Sequence, residues 1–134
     1  MAAKRFGFGR KEKLKSRKQI DELFLQGKSF SVYPLRVTYQ FTSSETPGIQ
    51  VGVTAGKKYF KRAVDRNRMK RLMREGYRIQ KSDLVELLTQ KRQSAALFFM
   101  YTGKSLTTFP VIKETMSKCL ERLQKLAQQN EATS

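Results

Sequence analysis

The chain has 134 residues, with 28 Lys and Arg against 11 Asp and Glu, a formal net charge of +17, one Cys and no His. That length fits one domain around one core, and the charge, with a sequence pI of about 10.4, favours a polyanionic partner. Without His there is no Ser-His or Cys-His nucleophile pair and no Cys/His zinc site, and the lone Cys119 has no intramolecular disulfide partner.

Nucleic acid leads among polyanions. An anionic membrane surface competes, but the apolar run "ALFFMY" falls far short of the ~20 residues that span a bilayer. The N-terminus "MAAKRFGFGRKEKLKSRK" is basic and lacks the apolar centre of a secretory signal, so a cytoplasmic protein is expected.

Residues 1–15 read as a basic, mobile arm, 16–128 as a single α/β domain that binds nucleic acid and 129–134 as a polar tail. Ser16 with Gln19 three positions on forms a capping box, and Ile20, Leu23 and Phe24 share a helical face that Gly27 terminates. "LRVTYQF" alternates Leu35, Val37, Tyr39 and Phe41 with polar residues, "SSETPG" turns the chain, and "IQVGVT" repeats the alternation. The two stretches are expected to pair as an antiparallel hairpin. A long helix is predicted over about Phe60 to Gln80, with Ser82 capping a second piece, "DLVELLTQKR". The run 95–101 suits a central strand buried on both faces. A last helix has Pro110 in its first turn and a stripe of Ile112, Met116, Cys119, Leu120, Leu123, Leu126 and Ala127. The order helix, strand, strand, helix, strand, helix gives an α/β sandwich (α+β) with a small sheet.

The chemistry concentrates in "KKYFKRAVDRNRMKRLMREGYR". Between residues 57 and 81 there are eleven basic residues against Asp65 and Glu75, whereas a merely solvated helix interleaves signs. At 100° per residue, Met69, Leu72, Met73, Gly76 and Ile79 gather on one face, and Asn67, Lys70, Arg71, Arg74 and Arg78 lie nearly opposite. A ladder several turns long matches a run of phosphates better than one small anion, and Arg offers planar forks for them. Arg68 lies off the ladder, equally placed for an ion pair with Asp65 or Glu75 and for an RNA contact.

This segment resembles the bacterial ribonuclease P protein component. The family's basic-helix motif is matched by Arg66, Asn67, Arg68, Met69, Lys70, Arg71, Leu72, Met73, Arg74 and Glu75, and the preceding strand by "VGVTAGKK". "KLKSRKQIDELFLQGKSF" resembles the opening helix and its Gly exit, and 95–126 the buried strand and closing helix. The resemblance implies an α/β sandwich with a left-handed β-α-β crossover, an exception to the usual handedness. It implies RNA contacts at Lys57, Lys58, Arg62, Arg66, Asn67, Arg68, Lys70, Arg71 and Arg74, to which the projection adds Arg78. It further implies a cleft between the first helix and the sheet for the single-stranded 5′ leader of precursor tRNA. Phe24 matches a family aromatic there, Arg36 and Tyr39 are expected beside it, and Ile20 stands where many relatives carry Phe. Phe24 is equally readable as core.

The partners so implied are the catalytic RNA subunit of ribonuclease P and precursor tRNA, with no membrane and no obligate protein partner. No catalytic or metal-ligating residue is expected in the protein. Hydrolysis falls to the RNA, with magnesium expected in the holoenzyme and held mainly by RNA. The competing readings are a ribosomal or RNA-chaperone protein without a role in cleavage, and a DNA-binding helix protein.

Overall fold

The computed structural model describes residues 17–43, 45, 47–56, 58 and 60–131. The expected basic arm, Ser16 of the expected capping box and residues 132–134 of the expected tail lie outside them. In chain order the elements are α1 (Arg17–Gln26), β1 (Lys28–Val32), β2 (Leu35–Ser43), β3 (Ile49–Ala55), α2 (Ala63–Gln80), α3 (Ser82–Lys91), β4 (Gln93–Tyr101) and α4 (Phe109–Glu131). The α+β class stands as expected. Strand β1 is additional to the expected order, and α4 continues past residue 128.

The sheet order is β1-β2-β4-β3. β2 and β3 therefore do not form the expected hairpin, because β4 lies between them. β4 is antiparallel to β2, with Val37 opposite Phe99, and parallel to β3, with Val53 opposite Phe99. An apolar strand suits the position with neighbours on both edges, and the parallel step from β3 to β4 needs the long crossover that α2 and α3 supply. β1 pairs antiparallel with β2 at the outer edge, where the five-residue stretch "KSFSV" buries Phe30.

Strand parity gives the sheet two unlike faces. Gln93, Ala95, Leu97, Phe99 and Tyr101 of β4 are buried, whereas Ser94, Ala96, Phe98 and Met100 are only half-buried. β4 is thus buried fully on one face, not on both. The Phe99 face carries the main core, where Tyr77 of α2 packs its ring 6.1 Å from that of Phe99. The α4 stripe joins the same cluster, with Ile112, Met116, Cys119, Leu120, Leu123 and Ala127 buried and Leu126 packed at its margin. Each of the Ile, Leu and Met side chains among them contributes ~1.5–3 kcal/mol through burial.

α1 lies on the opposite face. Its Leu23 is buried, and the Phe24 ring stands edge-on to Phe98 at 5.3 Å. Gly27 ends α1 by close approach: a Cβ there would sit 2.5 Å from the Leu23 carbonyl oxygen and 2.8 Å from that of Tyr39. The Gly27 amide donates to the Leu23 carbonyl at 2.7 Å.

α2 and α3 meet at a single helical residue, Lys81 (φ −75°, ψ −15°). Ser82 is the first residue of α3, not its side-chain cap, since Lys81 already continues the helical backbone and its carbonyl accepts from Val85 N–H at 3.0 Å. Lys81 is buried with its ammonium 5.9 Å from the centre of the Tyr77 ring. α3 ends at Arg92, whose left-handed backbone (φ 54°) lets its N–H reach the Leu88 and Thr89 carbonyls.

Candidate nucleic-acid interface

α2 is amphipathic in the sense the projection requires, with one adjustment. Met69, Met73, Gly76 and Tyr77 are its buried residues, while Leu72 and Ile79 are half-buried, so the buried face turns towards Tyr77. The phenol ring has an apolar body that fills the space under Phe99. Gly76 faces α4, where a Cβ would fit, meeting Met116 Cβ at an ordinary 3.6 Å.

Away from that face, Asn67, Arg68, Arg71 and Arg74 are exposed, as is Arg62 before the first turn, and Lys70 is half-buried on the flank. At ~1.5 Å per residue the row from Asn67 to Arg78 extends about 16 Å, longer than one phosphate group. Asp65 sits in the first turn, where a carboxylate complements the positive end of the helix.

Arg66 and Arg78, both expected RNA contacts, have partners within the protein. Arg66 donates through Nη1 to the carbonyls of Phe60 (2.8 Å) and Lys61 (2.9 Å), which fixes the loop entering α2. Phe60 is in turn buried against Tyr101, with ring centres 5.7 Å apart. Arg78 forms an ion pair with Glu75. The hydrogen bond from Arg78 holds the Glu75 carboxyl below the usual range, and the same bond raises the guanidinium. Glu75 therefore engages Arg78 rather than Arg68, because the three-residue step faces it along the helix. Lys58 is exposed in the loop after β3, and Lys57 lies outside the described residues.

The expected leader cleft divides between the two faces of the sheet. Phe24 is 48% exposed beside Phe98, so it is neither fully core nor free. Arg36 pairs opposite Met100 and Thr38 opposite Phe98, so both belong to the α1 face, and exposed Arg36 donates weakly to Ser29 Oγ at 3.4 Å. Ile20 is half-buried on α1. Tyr39 does not join them. It pairs opposite Leu97 on the helix-packed face and keeps ring contacts with Phe30 (5.8 Å) and Phe41 (5.5 Å). Residues separated by three along a strand face opposite ways. The same parity places Thr38, Phe98 and Met100 on the α1 face, which the sequence does not show until β4 is known to neighbour β2.

Elsewhere the titratable groups serve the fold. Burial raises the Tyr101 phenol, which donates to the Ser105 carbonyl at 2.6 Å, and burial pushes the Cys119 thiol up to about 12. Among the described residues no cluster of three or more His, Cys, Asp or Glu is placed to hold a metal ion, and no helix is long and apolar enough to cross a membrane.

An α+β sandwich that exposes a row of cations on one face of a packed helix presents the surface of a nucleic-acid-binding protein. More narrowly, the chain belongs to the ribonuclease P protein family, whose sequence model matches residues 8–124. It is 40% identical over 119 residues to the ribonuclease P protein component of Porphyromonas gingivalis, covering 88% of this chain and 87% of that one. It is 33% identical over 123 residues to the component from Chlorobium phaeobacteroides, covering 84% of each chain. Among solved structures, the RNase P protein from Thermotoga maritima superimposes with a TM-score of 0.64 at 22% identity, over 83% of this chain and 96% of that one, a likeness of fold.

Proposed function

We propose that the chain acts as the protein subunit of ribonuclease P, binding the RNA subunit through α2 and the 5′ leader of precursor tRNA in the half-open face beneath α1. The observation that carries this reading is the α2 surface: Arg68, Arg71 and Arg74 are exposed on a helix whose other side is locked into the core. Such a rigid row neutralises phosphates without reordering, which reduces repulsion between two RNA molecules brought together. The Phe24–Phe98 pair supplies ring surface for unstacked bases, and stacking tolerates any sequence, as a subunit serving many leaders requires.

Hydrolysis is assigned to the RNA subunit, with magnesium held mainly by RNA, in keeping with a chain that has no His. The protein's own residues then bind, orient and screen charge. The test is reconstitution: added to its cognate RNA subunit, the protein should permit cleavage of precursor tRNA at magnesium concentrations too low for the RNA alone. RNA binding with unchanged cleavage would favour the chaperone reading, against which family membership weighs.

A further inference from the structure

The aromatic row on the helix-packed side of β1 and β2 ends in a pocket distinct from the face beneath α1. Phe30, Tyr39 and Phe41 follow one another with ring centres 5.8 and 5.5 Å apart, and the Arg122 guanidinium lies 4.7 Å from the centre of Phe30. Pairing between β1 and β2 ends at Lys28 and Tyr39, so from Gln40 to Ser43 β2 has a strand neighbour only on its β4 side. There a cavity of about 400 Å³ opens, lined by Tyr39, Phe41, Lys28, Gln26, Gln40 and Gln129. None of its lining side chains is a carboxylate.

We propose that this pocket binds one unpaired RNA nucleotide, its base against Tyr39 and Phe41 and its edge hydrogen-bonded by the glutamine amides. Both rings are half-exposed, and a ring face accepts any base. An amide donates and accepts, so three amides around one opening suit the mixed edge of a base better than a purely anionic ligand. Lys28 supplies positive charge at the pocket, Arg122 lies over Phe30 further along the row, and the whole chain carries +17. The cavity falls in the ~300–1,000 Å³ range of small-ligand sites.

The pocket and the leader face meet at the end of α1. Gln40 lies on the α1 face and its Nε2 donates to Gln26 Oε1 at 3.4 Å, while both residues also line the pocket. A strand leaving the α1 face past Gln40 thus arrives at the pocket mouth. This assignment rests on the RNA-binding reading above, and the nucleotide comes either from the leader or from an unpaired segment of the RNA subunit.

Two variants test it in the reconstituted holoenzyme: Phe41→Leu, which keeps apolar bulk but removes the ring, and Gln129→Ala on the exposed side of α4. Substrate affinity is measured on precursor tRNAs whose leaders lengthen by single nucleotides, and RNA-subunit affinity is measured separately. If the leader supplies the nucleotide, the affinity that wild type gains as the leader lengthens past the α1 face falls about tenfold in Phe41→Leu. It falls about fivefold in Gln129→Ala. If the RNA subunit supplies it, the same losses appear in RNA-subunit binding at every leader length. Wild-type affinities in both assays for both variants overturn the pocket, as does a loss confined to Phe41→Leu with a lowered melting temperature. Phe24→Ala, measured in parallel, reports on the α1 face alone, so its effect persists if the pocket fails and vanishes only if the leader reading fails.

Discussion

Removing Arg71 and Arg74 together measures the α2 face directly. Both side chains are exposed on successive turns and neither belongs to the core, so a double Ala variant should melt within about 0.5 kcal/mol of wild type. Each phosphate contact contributes about 0.7–0.9 to the slope of log affinity against log salt, and Arg62, Arg68, Lys70, Arg71 and Arg74 together give a slope of about −4. Arg66 and Arg78 are left out of that count because loop carbonyls and Glu75 engage them. With three contacts remaining, the variant should show a slope of about −2.5. From ~50 to ~200 mM salt, wild type then loses about 250-fold in affinity and the variant about 30-fold. Fluorescence anisotropy with the cognate RNA subunit at fixed magnesium reads both slopes. A folded double variant with the wild-type slope would remove the ladder from the interface.

Glu75→Gln removes the carboxylate facing Arg78, so RNA should bind more tightly and the salt slope should steepen by about 0.8. Tighter binding at an unchanged slope would leave Arg78 outside the contact. Gly27→Ala drives a Cβ against two backbone carbonyls and should destabilise the fold by about 2–3 kcal/mol, whereas Gly76→Ala meets only ordinary contacts and should stabilise α2 by about 0.5–1 kcal/mol. Urea denaturation ranks the pair, and the reverse order would contradict the packing described. Cys119 is fully buried with its thiol pushed up to about 12, so at pH 8 it is protonated and enclosed. A thiol reagent should label it only on unfolding, and rapid labelling of the native protein would refute that burial.

The charged helix was legible because its signal is local: like charges gather on one side and Met69 and Met73 recur on the other within a single element. Strand partnership was not, because it depends on residues far apart in sequence. Leu35–Phe41 and Ile49–Val53 are adjacent strands in sequence, and only the competing apolar surface of β4 separates them in space. β1 was missed because its five residues bury just Phe30, too little pattern to register. The placing of Tyr39 beside Arg36 contradicted a rule available from the sequence itself, since the two differ by an odd number of strand positions. The partners of Arg66 and Arg78 turn on side-chain geometry, so the motif indicates a basic helix but not which of its charges the protein engages itself.

The insertion of β4 between β2 and β3 also dictates when the molecule can exist. A ribosome emits β1, β2, β3 and the charged helix before Gln93, the first residue of the strand that joins the two halves of the sheet. Until Tyr101 has followed, Met69, Met73 and Tyr77 have no Phe99 surface to pack against, and the cations of α2 are not held apart from the apolar side chains. Folding must therefore close late, across a long loop, as an ordering of distant segments rather than of successive hairpins. A nascent chain halted before Gln93 is a basic, unscaffolded polymer among RNA, while one extended through α4 has the full set of elements for a sided surface.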